Sequence, residues 1–317
     1  MGVFIVRRVA QSIPVILLIS LLLFLMMHAM PGGPLAMYVH EPGMTKEMLH
    51  QISVDYGLNA PVWVQYFKWL GHAVQGNFGY SYVYGVPAAT MMLQRLPATL
   101  ELMFSSFLIC VVLSLVLGVF SAVHQYSFGD YTVTVLSYFG YSMPTFWVGL
   151  MVLIFFAVDL HWFPAGGMST AGTAFSLGDR LWHLVLPMLV LAFYTLASES
   201  RYVRSSMLDV IQQDYIRTAR AKGLSERTVI WRHALRNAML PVVTVMVMDA
   251  AYLFGGALIT ETIFSWPGMG RLFIQAILQS DYPVLMVVVS FLSVVIVLAN
   301  ILADVLYGVL DPRVRYD

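Results

Sequence analysis

A chain that runs apolar for about 20 residues at a stretch can cross a lipid bilayer, and a helix lets it do so because every backbone N–H and C=O is then satisfied within the run. This 317-residue sequence has six such runs, at about Val9 to Met30, Ala98 to Val123, Val133 to Val158, Leu184 to Tyr202, Ala238 to Thr260 and Val284 to Leu306. Composition agrees, with 59% hydrophobic and only 11% charged residues and a mean hydropathy of +0.78, far from a soluble domain. The sequence therefore predicts an all-α polytopic membrane protein with six transmembrane helices.

The first run has the basic start and apolar middle of a secretory signal peptide, behind Arg7 and Arg8. It is long enough to span and lacks a small-residue cleavage site, so it reads as a retained helix. The stretch from Pro31 to Pro97 is too polar for lipid and too long for a tight turn, which predicts an extramembranous subdomain. The predicted organisation is thus 1–30 for the N-terminus and first helix, 31–97 for the subdomain and 98–317 for a helical core. Basic residues set the direction, because Lys and Arg stay cytoplasmic. With Arg7 and Arg8 inside, six spans also put Arg313 and Arg315 inside, and the loop after the fourth helix adds Arg201, Arg204, Arg217, Arg220, Lys222, Arg227, Arg232 and Arg236. Outside fall Lys46, Lys68, Arg95, Arg180 and Arg271, so twelve against five supports cytoplasmic termini and an extracytoplasmic 31–97. No fixed-period repeat is present, and Ala165 to Gly178 reads as an external loop.

Seventeen basic and seventeen acidic residues balance, which gives no argument for a nucleic-acid or anionic partner. The single cysteine, Cys110, rules out an intrachain disulfide and a cysteine-only metal cluster. His28, His40, His50, His72, His124, His161, His183 and His233 are dispersed without metal-ligand spacing, so no metal site is expected. There is no phosphate loop, and Gly79-Tyr80-Ser81-Tyr82-Val83 fails at the last position of a nucleophile elbow. An enzyme active site in this chain is disfavoured.

The cytoplasmic loop over 203–237 carries the most information. From Ser205 to Gly223, the residues Met207, Leu208, Ile211, Tyr215 and Ile216 recur at helical spacing, which predicts one amphipathic helix. Gly223 can stop it, Ser225 can cap a following helix, and Leu240-Pro241 leads into the fifth span. The basic residues satisfy the positive-inside rule in any case. Yet they alternate with the small residues Thr218, Ala219 and Ala221, and the break at Gly223 falls inside the charged run, as in a short rigid element inserted into a partner's groove.

At these residues the sequence resembles a known family. The segment Asp214 to Pro241 is similar to the coupling loop of permease subunits of ATP-binding-cassette importers, in the dipeptide, oligopeptide and nickel permease family. Arg7-Arg8, the run Ala98-Thr99-Leu100-Glu101-Leu102, the run from Tyr141 through Pro144 to Trp147, the run from Glu261 through Trp266-Pro267-Gly268 to Gly270, and the run from Leu306 to Arg313 resemble it in the same order. Arg217-Thr218-Ala219 stands where the wider group has Glu-Ala-Ala, so Ala219 and Gly223 carry over directly.

The resemblance implies the importer permease fold, with a cytoplasmic coupling helix between helices four and five, in a prokaryotic cytoplasmic membrane. It implies a second permease, two ATPase subunits, an extracytoplasmic substrate-binding protein and a peptide-like solute as partners, in contact with membrane lipid. ATP and Mg would reside on the ATPases, with no cofactor in this chain. The ATPase-coupling residues would be Asp214, Tyr215, Arg217, Thr218, Ala219, Arg220, Ala221, Lys222, Gly223 and Leu224. A permease for nickel, glutathione or another small solute is the alternative, and an ion-coupled secondary transporter is the rival from another class.

Ionisable residues inside spans are costly and informative. Asp249 lies near the middle of the fifth run, where it either lines the translocation path and meets a cationic group or makes an interhelical hydrogen bond. Glu101, Glu199, Glu261 and Asp304 fall near predicted helix ends, where side chains can reach the interface. Of these, Glu261, beside the turn-rich Trp266-Pro267-Gly268 corner, is kept as a pathway or gate candidate.

Overall fold

The structure is a computed structural model that describes residues 2–29, 33–35, 43–55 and 57–310, with the backbone alone at 2–5, 251, 252, 256 and 306–310. It is helical among these residues: α1 (Gly2–Ala29), α2 (Lys46–Asp55), α3 (Val62–Val74), α4 (Ala88–Val123), α5 (Phe128–Ser142), α6 (Thr145–Val152), α7 (Leu177–Ile211), α8 (Asp214–Ala221), α9 (Leu235–Ile263), α10 (Met269–Leu278) and α11 (Tyr282–Leu310). Five helical segments are long and apolar enough to span, and a sixth is made of two pieces bent by 107°.

That bent pair overlaps the third predicted run, Val133 to Val158, which the sequence read as one helix. It breaks at Met143-Pro144, both in extended backbone (ψ 134° and 131°). Proline disfavours the helical conformation of the residue before it and donates no hydrogen bond of its own, so α5 stops and α6 starts in a new direction. α6 then passes into a π-helical turn, Leu153–Asp159. Proline does not break the other long helices: Pro14, Pro97, Pro187 and Pro241 all lie inside them. Two helices outrun their apolar stretches, α4 starting ten residues before Ala98 and α7 running nine past Tyr202.

The chain groups into two packed units, one built on Leu100–Trp266 and the other on Val6–Thr99 with Pro267–Val297. This partition differs from the one drawn at 30/31 and 97/98 from the sequence. In the first unit, α7 is the central element. Gly118 of α4 lets the two backbones approach so closely that a Cβ there would stand 2.6 Å from that of Val203. Ser137 and Ser200 hydroxyls bond α5 to α7 at 3.1 Å, and Ser206 donates to the Ala238 carbonyl of α9 at 2.7 Å. Ion pairs hold both ends of α7: Arg180 grips Glu101 of α4 in a two-pronged contact, and Arg204 meets Asp130 of α5 at 2.7 and 2.8 Å.

In the second unit, the predicted 31–97 subdomain supplies α2 and α3. α3 lies on α1 through Tyr66 against Phe24, with Ser20 bonded to the Tyr66 hydroxyl at 2.9 Å and His28 to Gln65 at 2.9 Å. The first turns of α4 pack Ala88 and Met92 against α10 and α11 at Met269, Leu272, Ala276 and Val284. This apolar seam, absent from the hydropathy of the membrane run, accounts for the early start of α4. Asp281 accepts from the Ser81 hydroxyl and, at 3.2 Å, from the Tyr82 amide.

Candidate functional site

Two places in the first unit bring together the residues that the sequence singles out. One is the elbow after α7. The single amphipathic helix expected over Ser205 to Gly223 is two: α7 ends at Ile211, Gln212 and Gln213 turn the chain, and α8 begins at Asp214. Met207 therefore belongs to α7, whereas Ile216 and Ala219 belong to α8, and all three enter one core. Gly223, at φ 77°, ends the elbow in the left-handed region that glycine adopts without strain. Ser225 caps the next turn by accepting from the Thr228 amide.

α8 is short, and its seat gives it rigidity. Ile216 is fully buried, and with Ala219 it packs among Val119 and Ala122 of α4, Val203 and Met207 of α7, Val229, Ile230 and Ala234 of the following turn, and Ala238 of α9. Asp214, Tyr215, Arg217, Thr218, Arg220, Ala221, Lys222, Gly223 and Leu224 are exposed. Arg220 closes the turn on Glu226 at 2.7 and 3.1 Å, which raises the pKa of its guanidinium further. The Asn237 amide donates to the Tyr215 hydroxyl at 3.1 Å, tying the start of α8 to α9. The apolar side of α8 thus shares one core with three long helices, α4, α7 and α9.

The other place is a cavity of about 490 Å³. Its walls are Tyr141 of α5, Thr145 of α6, Leu191, Tyr194, Thr195 and Ser198 of α7, and Asp249, Leu253, Gly255 and Ile259 of α9. The Tyr141 and Tyr194 rings stack at 5.3 Å between centroids. Asp249 lies on the wall of this cavity.

Glu199 corrects the sequence reading. It was expected near a helix end, reaching the interface; α7 extends twelve residues beyond it, and the side chain is 1% exposed. Neither of its oxygens has a hydrogen-bond donor in the structure. The apolar run Leu184 to Tyr202 hid this, because it ends where hydropathy falls and not where the helix does. A sequence signal was available: Glu199 is four residues on from Thr195 and one turn before Val203, on the buried stripe of α7. Glu101 is likewise well inside α4, where it is ion-paired with Arg180. Asp304 does lie near the end of α11.

Glu261 is fully buried in the last turn of α9 and is not among the cavity walls. Trp266, just beyond it, is also fully buried and bonds its amide to the Glu261 carbonyl at 2.8 Å. No set of three metal-ligating side chains occurs among the described residues. His40, Arg313 and Arg315 lie outside them, as does the end of the Leu306 to Arg313 motif.

Comparison with known proteins assigns these features to a family. Residues 114–316 match the model of the binding-protein-dependent transport system inner membrane component, and residues 1–103 match its N-terminal companion. The oligopeptide transport system permease protein AppB of Bacillus subtilis is 45% identical over 317 residues, covering 100% of both chains. The dipeptide transport system permease protein DppB of Escherichia coli K12 is 40% identical, over 99% of this chain and 98% of its own. With its apolar helices, the elbow and full-length likeness to such permeases, this chain belongs to the family of binding-protein-dependent transport system inner membrane components, multi-pass proteins of the inner membrane.

Proposed function

We propose that this chain and a second, non-identical permease form an alternating-access pathway for di- and oligopeptides, with both termini cytoplasmic. The cargo follows from the names of relatives at 45% and 40% identity. An extracytoplasmic binding protein delivers the peptide to the outer loops and the 31–97 region. Two ATP-binding-cassette subunits supply the energy, ATP and Mg being held on them.

The observation that carries this reading is α8: apolar side chains fix it to a core shared by α4, α7 and α9, while its polar side faces solvent. Asp214 to Leu224 is the segment received by the ATPase groove. Closure of the ATPases then tilts the helices to which α8 is fixed. Asp249 is the pathway contact for a cationic group of the solute, and Glu261, buried beside the Trp266-Pro267-Gly268 corner, serves as a gate at the end of α9.

The test is co-isolation from native membrane of the intact chain and of a variant with Arg217 to Leu224 replaced by a Gly/Ser linker. An ATPase that accompanies the intact chain and is lost from the variant is the expected result. An intact chain that purifies alone and moves solute in response to an ion gradient would replace this function with secondary transport.

A further inference from the structure

An apolar wall that ends at an unpaired cation suits an amphiphile of opposite charge, because each part of the ligand then keeps the surroundings it prefers. A groove of about 360 Å³ in the first unit has this form. Val116, Phe120 and Val123 line it from the last turns of α4, and Ile230 and Trp231 line it from the turn that precedes α9. Apart from buried Ile230, these side chains are 39–52% exposed, so no described residue covers the wall they form. The turn that carries Ile230 and Trp231, Val229–Ala234, is π-helical, a backbone insertion that is frequent at functional sites. Both sides change from apolar to polar where a membrane span ends: His124 follows the span Ala88–Val123, and Glu226 and Arg227 open the span Glu226–Gly255. Glu226 is engaged by Arg220 at 2.7 and 3.1 Å, and His124 is bonded through Nδ1 to the Phe120 carbonyl at 3.2 Å. Arg227 is exposed and forms no ion pair among the described residues.

We infer that this groove binds one anionic phospholipid, with an acyl chain along Val116, Phe120, Ile230 and Trp231 and the phosphate held by Arg227. The wall belongs to two spanning segments, so lipid is the medium that meets it. A guanidinium offers a phosphate two parallel hydrogen bonds, and a tryptophan at the end of a span sits at headgroup level. A soluble phosphate ester would leave the apolar wall uncovered, and a zwitterionic lipid brings a cation of its own and gains less from Arg227. Val119 and Ile230 line the groove and also belong to the core that seats Ile216 and Ala219 of α8. A bound lipid therefore braces the seat of the elbow, and anionic lipid holds α8 more firmly than neutral lipid does. Such a site is independent of the solute that the permease carries.

The charge of Arg227 sets the preference and the apolar wall sets the affinity. One cation at a membrane surface favours an anionic over a neutral lipid by about fivefold. Arg227→Gln removes that preference and Arg227→Lys keeps it, whereas Val116→Trp fills the groove and lowers the affinity for both lipids.

The experiment uses the importer isolated with its partner subunits. Native mass spectrometry follows the binding of dioleoylphosphatidylglycerol and dioleoylphosphatidylcholine, and ATP hydrolysis is read in phosphatidylcholine nanodiscs with and without phosphatidylglycerol. The expected result is about fivefold tighter binding of phosphatidylglycerol and about threefold faster hydrolysis in its presence. R227Q binds the two lipids alike and loses the acceleration, yet matches the parent in pure phosphatidylcholine, which shows that it folds and assembles. A preference that persists in both R227Q and Val116→Trp places the anionic lipid elsewhere and overturns the site. Displacement of phosphatidylglycerol by an equal concentration of soluble glycerol phosphate marks an anion site without a lipid and overturns it as well. A complex that shows no lipid preference, and in which a cysteine put in place of Trp231 crosslinks to an ATPase subunit, gives the groove to that partner instead. Binding that depends on Arg227 but leaves hydrolysis unchanged upholds the site and overturns its link to the elbow.

Discussion

The elbow at α8 and the cavity at Asp249 are both built from α7 and α9, but they handle charge in opposite ways. At the elbow, charged side chains lie in water on the outside of a short helix whose inner face is Ile216 and Ala219. At the cavity, an acid is enclosed by helices, and the surrounding apolar packing makes its charge costly. The elbow therefore depends on its apolar seat more than on its surface charges, whereas the cavity places an acid, Asp249, on a wall that is otherwise largely apolar and hydroxyl-bearing.

The sharpest way to break this comparison is to put a charge where the elbow is apolar. Ile216→Asp buries a carboxylate in the shared core without a partner and should cost about 4 kcal/mol. A large fall in the detergent melting temperature together with loss of bound ATPase is expected; near-native stability would mean that α8 is not seated as described. Next is Asp130→Asn, which leaves Arg204 without its buried carboxylate in the C-terminal part of α7 and should cost about 2–3 kcal/mol. Chemical denaturation of the solubilised chain measures this.

A change in the cavity should separate function from stability. Asp249→Asn should lower peptide uptake about tenfold while leaving assembly and melting unchanged, because the amide fills the same space without the charge. Uptake equal to that of the parent would leave Asp249 a structural role only. Smaller still is Gly223→Ala, which forces a Cβ into the left-handed region with no neighbour in its way, at a cost of about 1 kcal/mol. Arg217→Ala should scarcely change melting, since its pairing with Asp214 is at 3.5 Å and in open solvent. If it nevertheless weakens ATPase attachment, the exposed face of α8 is the contact surface.

Much of the elbow was legible in the sequence because its signals are local. Gly223 at its stop, Ser225 at its cap and the basic run along its polar face each act within a few residues. The turn at Gln212-Gln213 was not legible, because the apolar spacing of Met207 and Ile211 continues into Tyr215 and Ile216, and periodicity cannot tell one helix from two that share a core. The cavity was legible only at Asp249, whose place in mid-run is unmistakable. Glu199 was lost because hydropathy measures how far apolar residues extend, whereas α7 extends as far as its neighbours give it contacts.

The sequence by itself determined that this chain is a polytopic helical membrane protein, which runs are apolar enough to cross, and where a polar elbow interrupts them. These follow from transfer free energies and backbone hydrogen bonding, which each segment satisfies alone. Only the tertiary structure decided that the third run bends by 107° at Met143-Pro144, that Asp130 meets Arg204 and Glu101 meets Arg180, and that Glu199 is buried inside α7. Residues 50 or more apart in sequence become neighbours through packing of helix on helix, and a charge in lipid is stable only beside the partner that such packing supplies.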